Sequence, residues 1–392
     1  MNTYQLSSII NPVKLILVVI LFLSFGHFPR GTSFFYFFPS IILLSLIVLN
    51  KYTFRDKYLI LTFLICAFIP LPIMALGIDI ARDLTFLLYF FSAILLGYSL
   101  VRYMPLEYFV YGLFFAGAYV TFTVIFDLVI GFNGDFSLLA IRDVSGGAGD
   151  LGIVFIVMSF YGLRYFPLFF ISFAASMLLM FITQSRTMLL SFLIWSYFLI
   201  SIRSGVLFNW IMRFTVIALL SGLIIVGVSA DSESYTFVGK ILRSIQEIIP
   251  NENQNLHSNW RAVESAIALS SFINGSFFEI LFGKGLGFRL PLGFEMTLAN
   301  VEFDSIPILH NGYLYILLKY GIFGLLLWYK FISSLVLKEG DPVLVSISKS
   351  CFYIILITQL VSGGVLQYQG LIFLSIMAAC ASLNLKNASN NS

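Results

Sequence analysis

The chain of 392 residues is 59% hydrophobic and only 10% charged, with a mean hydropathy of +0.97. Because soluble domains carry about 25% charged residues, this composition excludes an ordinary soluble protein. The formal net charge of +3 gives no support for nucleic-acid binding. Apolar runs long enough to cross about 30 Å of hydrocarbon as helices recur along the chain, so we predict an all-α polytopic integral membrane protein.

The first predicted span, Pro12–Phe28, is interpreted as a retained helix, because no small-residue cleavage site follows it. The run Leu151–Leu163 also counts as a span, although it is short for a complete crossing. The other predicted spans, in chain order, are Phe34–Leu49, Tyr58–Gly77, Leu84–Val101, Glu107–Phe132, Tyr165–Thr183, Thr187–Ile202, Phe214–Ser229, Gly312–Tyr329, Val343–Ser362 and Val365–Leu383. We therefore expect about 12 transmembrane helices in one transmembrane domain that comprises residues 1–392.

The distribution of Lys and Arg predicts the orientation of these spans. With both termini in the cytoplasm, most basic residues lie inside, and the short outer loops hold only Arg30, Arg82, Arg142 and Arg186. Arg186 lies in a tight link between two predicted spans, where a guanidinium suits bidentate binding of phosphate oxygens. Arg142 either pairs with the adjacent Asp143 or extends such a phosphate site.

Residues 230–309 form a large polar segment that this orientation places outside the membrane. Val238–Ile249 has apolar residues at helical spacing, which predicts an amphipathic helix at the membrane interface, ended by Pro250. A second helix is predicted to begin near Ser258. The run Gly283–Gly287 predicts a tight turn back toward the bilayer; it lacks the terminal Lys-Ser/Thr of a nucleotide-binding loop.

His310 marks the border between this polar segment and the next apolar run. A neutral imidazole can act as a base near pH 7, although a lone His at a helix end is ordinarily an interfacial or capping residue. Arg261 either has a functional role or pairs with Glu264 at i, i+3. Lys284 and Arg289 either attract an anionic substrate or balance nearby carboxylates.

Asp127, Lys319 and Lys349 lie within predicted spans, where an unpaired charge costs several kcal/mol. Lys319 follows His310 by about 13 Å of helix rise, and it could pair with Asp127 or neutralise a phosphate below the headgroup plane. The three cysteines lie inside predicted spans and do not form a disulfide framework for the outer segment. No His, Cys and carboxylate cluster has zinc spacing, so no metal is predicted.

Several of these features, in this order and spacing, resemble the O-antigen polymerase and O-antigen ligase superfamily of bacterial inner-membrane glycosyltransferases. The residues that carry the resemblance are Gln184-Ser185-Arg186-Thr187 before a span, Arg261, Phe282-Gly283-Lys284-Gly285-Leu286-Gly287, His310-Asn311 and Gly321-Ile322-Phe323-Gly324. The resemblance covers about residues 145–329, and the earlier spans match only as generic membrane helices. Where the family usually has Asn after a glycine-rich entry to the middle span, this chain has Asp150.

The resemblance implies a saccharide donor linked through pyrophosphate to undecaprenol, used at the periplasmic face of the inner membrane without metal or cofactor. It implies His310 as the base and Arg186 and Arg261 as the groups that neutralise the pyrophosphate, in a single inverting displacement. Further expected substrate-binding residues are Arg142, Lys284, Arg289, Lys319 and Asn311. The expected partners are a lipid-linked donor and acceptor, the lipid bilayer and, as a candidate, a chain-length regulator.

Three functions remain open on this basis. A polymerase would join lipid-linked repeat units, and a ligase would transfer the finished glycan to lipid A-core with the same Arg, Arg and His set. The aromatic-rich sequence favours a polymerase, since it resembles the repeat-specific polymerases more than the ligases. A glycolipid flippase or transporter would instead have charged residues along a cavity at the membrane midplane and broken helices in two related halves.

Overall fold

The computed structural model describes residues 12–23, 77–130, 171, 174–175, 186–203, 260–298, 301–361 and 370–390. Most of these residues are helical, as the composition predicts. Within the described ranges, three helical segments are long and apolar enough to cross a membrane, namely Asp79–Val101, Gly312–Ser334 and Pro342–Leu360. The count of twelve spans and the outer placement of residues 230–309 stay predictions. Five predicted spans fall almost entirely outside the described residues: Phe34–Leu49, Tyr58–Gly77, Leu151–Leu163, Tyr165–Thr183 and Phe214–Ser229.

Four described helices precede the polar segment. They are α1 (Pro12–Leu23), α2 (Gly77–Tyr103), α3 (Leu106–Ile130) and α4 (Arg186–Arg203). Each coincides with a predicted span, but α2 begins seven residues before the predicted Leu84. The added turns carry Asp79, Arg82 and Asp83, so Arg82 is a helical residue and not part of a short loop. Pro105 separates α2 from α3, since proline cannot continue the hydrogen-bond ladder.

The structure describes the polar segment from Trp260 onward. Helix α5 (Trp260–Ile273) begins close to the predicted start near Ser258, and the short helix α6 (Phe277–Phe282) follows. The strands β1 (Leu290–Leu298) and β2 (Val301–Ile306) then form an antiparallel hairpin. The hairpin corrects the all-α prediction. Its signal in the sequence is weak because Pro291 and the positive-φ Gly293 interrupt β1, where the pairing register shifts between Pro291 and Met296.

Three apolar helices complete the described chain: α7 (Gly312–Ser334), α8 (Pro342–Val361) and α9 (Leu371–Asn390). The predicted starts of α7 and α8 are confirmed to within one residue, and in the structure each helix follows a capping residue. Asp341 caps α8 by accepting a hydrogen bond from the Val343 N–H at 2.8 Å. In the core, α2 packs along α9 and α8 packs against both α4 and α9. A side chain at Gly97 of α2 would collide with the Ser375 carbonyl, so this contact depends on glycine.

Helix α7 is broken at Gly321, which has φ 66° and ψ −169°, a backbone conformation that is essentially restricted to glycine. At such a break carbonyl groups lose their partners in the helix. Here the Lys284 N–H donates to the Leu318 carbonyl at 2.6 Å, and the Gly285 N–H donates to the Lys319 carbonyl at 3.0 Å. The loop after α6 therefore supplies N–H donors to two carbonyl groups of α7 that the break leaves without partners in the helix.

Glycine is needed on both sides of this contact. A Cβ atom on Gly321 would collide with the Leu281 carbonyl, and one on Gly283 would collide with the Lys319 backbone. Gly283 itself has φ 83°. The two glycine motifs thus belong to one backbone-to-backbone contact between loop and helix. Gly283–Gly287 supplies the loop side, and Gly321–Gly324 supplies the helix side.

Candidate functional site

Two hydrogen bonds join His310, just before α7, to Glu264 of α5. The two Glu264 carboxylate oxygens accept hydrogen bonds from His310, one from the backbone N–H at 2.5 Å and one from Nδ1 at 2.7 Å. The Glu264 side chain is 2% exposed, whereas the His310 side chain is 49% exposed. A buried carboxylate thus holds a histidine whose ring reaches solvent.

Local structure on both sides positions this pair. Glu264 lies on the buried face of α5, just over one turn after the first residue of that helix. His310 directly precedes Asn311, which caps α7 by accepting hydrogen bonds from the Tyr313 and Leu314 N–H groups at 3.0 and 3.2 Å. The cap determines where α7 begins and therefore where His310 stands. Asn311 was predicted to bind substrate; in the structure its side-chain oxygen Oδ1 caps α7.

The geometry determines which nitrogen of His310 is available. When Glu264 is ionised its carboxylate only accepts hydrogen bonds, so in that state Nδ1 carries the proton. In the neutral ring Nε2 then has the free lone pair, and within the described part of the chain no group forms a hydrogen bond to it. Such a carboxylate–histidine arrangement orients the ring and stabilises the imidazolium that forms when Nε2 takes a proton. The pair can therefore act as an oriented general base.

Arg261 lies close to this pair along α5. It precedes Glu264 by three residues, and residues at this spacing are neighbours on a helix surface. The alternative interpretation treated Glu264 as a surface partner of Arg261, but its carboxylate is buried and bonds to His310. Arg261 and His310 were predicted to share a site. Glu264 bonds to His310 and lies about one helical turn from Arg261, so both residues neighbour the same carboxylate.

A second cluster is centred on Asp83 at the start of α2. Its carboxylate is completely buried and accepts from the Lys319 ammonium at 2.6 Å, the Tyr315 hydroxyl at 3.0 Å and the Gly287 N–H at 2.7 Å. Arg82 adds a contact to the same carboxylate at 3.0 Å. Lys319 also donates to the Phe288 carbonyl. This cluster joins α2, the glycine loop and α7 through one ion pair.

Arg82 extends the cluster toward solvent. It bonds to Asp79 at 2.6 Å, and Arg289 approaches the same Asp79 oxygen at 3.5 Å. Arg289 also donates to the Ser305 hydroxyl and carbonyl, both at 3.1 Å, and so connects α2 to the hairpin. The other Asp79 oxygen is buried and has no hydrogen-bond partner among the described atoms. Three cations and two carboxylates give this cluster a formal excess of one positive charge.

The partner of Lys319 differs from the one considered in the sequence analysis. Lys319 pairs with Asp83, 236 residues away, and is buried with it. The side chain of Asp127 lies outside the described residues. Lys319 and Arg289 were both predicted to bind substrate; the structure places them in the ion-pair cluster, Lys319 buried and Arg289 partly exposed.

Lys284 and a neighbouring groove complete the region. The Lys284 ammonium donates to the Ser271 hydroxyl at 3.1 Å and lies 5.1 Å from the centre of the Phe288 ring. A groove of about 410 Å³ runs between α5 and β1, and Ser271 is part of its wall. The other residues that line it are Val263, Ile267, Ser270, Asn274, Leu292 and Phe294. It combines an aromatic and aliphatic strand face with hydroxyl and amide groups.

The described residues test only part of the predicted site. Arg142 lies outside them, and Arg186 is described only as the first residue of α4, without its side chain. Glu264, Asp79 and Asp83 were missed as site residues, although Asp79, Arg82 and Asp83 stand immediately before a predicted span and could have been noticed there. Comparison with protein-family models and with curated proteins finds no match for this chain.

Proposed function

We propose that this chain is a membrane glycosyltransferase of the O-antigen polymerase type, which joins undecaprenyl-pyrophosphate-linked repeat units at the periplasmic face. The observation that carries the proposal is the buried Glu264 carboxylate, which holds the half-exposed His310 ring through Nδ1 and leaves Nε2 without a described hydrogen-bond partner. The ordered resemblance of Arg186, Arg261, His310-Asn311 and the two glycine motifs supplies the substrate class. Both lines of support meet at His310.

The proposed reaction is a single displacement at the anomeric carbon of the donor. His310 Nε2 accepts the proton of an acceptor sugar hydroxyl as that oxygen forms its bond to the anomeric carbon. The bond between the anomeric carbon and the pyrophosphate oxygen breaks with inversion, and undecaprenyl pyrophosphate leaves with the electron pair. The proton stays on the imidazolium, which Glu264 stabilises. Arg186 and Arg261 are assigned to the negative charge that grows on the leaving pyrophosphate.

The positions of the described charged residues fit an enzyme that works at one membrane surface better than they fit a transporter. Asp79 and Asp83 lie in the first two turns of α2, and Tyr315 and Lys319 lie in the first two turns of α7. Their polar contacts gather at one end of these helices, whereas a transporter would have ionisable groups near the midplane. This placement favours the enzymatic proposal over the flippase or transporter alternative. The break in α7 meets one expectation for a transporter, but no second broken helix lies among the described helices.

Purified full-length protein in lipid vesicles, supplied with a lipid-linked repeat unit, tests the mechanism. Loss of a general base typically costs about 10²–10⁴-fold, so His310→Gln should lower kcat by that factor. Glu264→Gln should lower kcat by up to about 10⁴-fold, as loss of the carboxylate that orients a general-base histidine does, and leave KM nearly unchanged. Glu302→Gln is the matched control, because this exposed hairpin carboxylate contacts neither residue. Wild-type turnover by His310→Gln would remove the imidazole from the chemistry.

A deletion strain separates the polymerase from the ligase. Loss of a polymerase should leave lipid A-core capped with a single repeat unit. Loss of a ligase should leave core without glycan and accumulated lipid-linked polymer. The second pattern would refute the polymerase assignment and retain the His310 mechanism, since both enzymes use the same donor.

A further inference from the structure

The short helix α6 carries an exposed aromatic surface in a segment that was predicted to be aqueous. Phe277 and Phe278 are 73% and 71% exposed, and no residue of this helix is buried. The helix is nevertheless well formed, because Ser276 and Glu279 make a capping box at its start. Two large aromatic side chains are therefore held outward on a fixed helix.

This surface is continuous with the outward face of α7. The Phe278 ring stacks on Phe282 with 6.2 Å between ring centres, and Phe282 stacks on Phe323 of α7 at 5.4 Å. From Phe323 the exposed side continues along α7 through Leu326 and Tyr329. Since α7 is long and apolar enough to cross a membrane, the natural cover for this exposed side is lipid.

The position of α6 along α7 agrees with contact to lipid. The end of α6 meets α7 at Gly321, and Gly321 follows Gly312 by about 13 Å of helix rise. Helix α6 thus lies beside the body of α7 and not beyond its first turn. Its backbone is attached there by the hydrogen bonds from Lys284 and Gly285 to the broken helix.

We propose that α6 is inserted into the bilayer, with Phe277 and Phe278 among the acyl chains of the leaflet that surrounds the first half of α7. An isolated aromatic pair on an aqueous loop has no cover, whereas this pair extends an apolar surface that a membrane already requires. The Glu279 carboxylate is compatible with the headgroup region, because the Ser276 N–H binds it at 2.7 Å at the start of the helix. This inference does not depend on the proposed function.

Spin labels on single cysteines test the insertion in full-length protein reconstituted into phosphatidylcholine vesicles. The test position is Phe278→Cys, with Phe277→Cys as a second variant should the first not fold. Leu326→Cys on the exposed side of α7 is the lipid control, and Glu302→Cys on the hairpin is the aqueous control. Cys66 is replaced by Ser, and the parent with the buried Cys351 and Cys380 gives the labelling background.

The measurement compares collisions of each label with oxygen, which concentrates in hydrocarbon, and with a water-soluble nickel chelate. We expect the label at 278 to follow Leu326→Cys, with oxygen collisions severalfold more frequent than nickel collisions. A label that follows Glu302→Cys would overturn the proposal and place α6 in water. Low accessibility to both reagents would also overturn it, because a protein surface or a second copy of the chain would then cover α6.

Discussion

The buried pair of Asp83 and Lys319 allows a quantitative test of the packing between α2 and α7. The two side chains are 0% and 3% exposed and their charged atoms are 2.6 Å apart. We consider Lys319→Met, Asp83→Asn and the double variant. Lys338→Met is the matched control, because Lys338 is an exposed lysine in the loop after α7.

Removing one partner of a buried ion pair typically costs about 3–5 kcal/mol, since it leaves an uncompensated charge. Lys319→Met should lie near 3 kcal/mol at the lower end, because Asp83 keeps its hydrogen bonds from Arg82, Tyr315 and the Gly287 N–H. Asp83→Asn should lie near 5 kcal/mol, because the buried ammonium then loses its paired carboxylate and, within the described structure, keeps only neutral neighbours in contact, namely the Phe288 carbonyl, the Tyr315 ring and the new amide oxygen. The double variant leaves no unpaired charge at this position, so its cost should fall below the sum of the singles by about 2–3 kcal/mol.

Reversible unfolding in mixed micelles, followed by tryptophan fluorescence as denaturing detergent is added, measures these free energies. The control Lys338→Met should stay within about 0.5 kcal/mol of wild type. The reasoning fails if the coupling energy of the pair is below about 0.5 kcal/mol, or if Lys319→Met costs no more than the control. Either result would mean that water or another group compensates the charge at the start of α2.

Two further predictions concern glycine and capping. Gly321→Ala should lower the melting temperature by more than Gly293→Ala: both positions have positive φ, but only at Gly321 does a new Cβ atom meet backbone, and equal shifts would contradict the collision. The hydrogen bond from the Ser276 N–H lowers the pKa of Glu279, so the capping box stabilises α6 above the unfolded pKa of about 4.3 and loses this effect as pH falls through the lower folded pKa. Hydrogen exchange of α6 should accelerate in that acidic range in the wild type but not in Glu279→Gln, and the same acceleration in both would refute this linkage.

The starts of α7 and α8 were predicted to within one residue, because at each point polar sequence gives way to an apolar run. The caps Asn311 and Asp341, which hold these ends, were not recognised in the sequence. The hairpin could not be predicted, because Pro291 and Gly293 disrupt the alternation of a strand. The early start of α2 was missed for a different reason. Its first turns are charged, and a hydropathy pattern assigns charged residues to loops unless their partners are known.

Some site residues were missed because their hydrogen-bond partners lie far away along the chain. Local spacing indicates contacts at i, i+3 or i, i+4, so Glu264 was considered only with Arg261. Its contact with His310 spans 46 residues, and that of Asp83 with Lys319 spans 236. Such contacts depend on how separate helices pack. His310 could be singled out because it stands at a border between polar and apolar sequence, which one chain position shows by itself.

The break in α7 divides one apolar stretch into two chemically different halves. Nearly every residue from Gly312 to Tyr320 is enclosed by other parts of the protein, whereas Ile322, Phe323 and Leu326 face outward. By hydropathy the whole stretch is one candidate membrane-spanning helix. Its first half nevertheless contains Lys319, because the Phe288 carbonyl and the Asp83 carboxylate bind the buried ammonium. Between Gly321 and Tyr329 an ionised group on the outward side would face hydrocarbon if α7 crosses a membrane; the first charged residue after the break is the exposed Lys330, in the last two turns of the helix. New polar contacts in this helix can therefore form before Gly321, where protein surrounds the side chains, whereas the outward side from Ile322 to Tyr329 offers them no protein partner among the described residues.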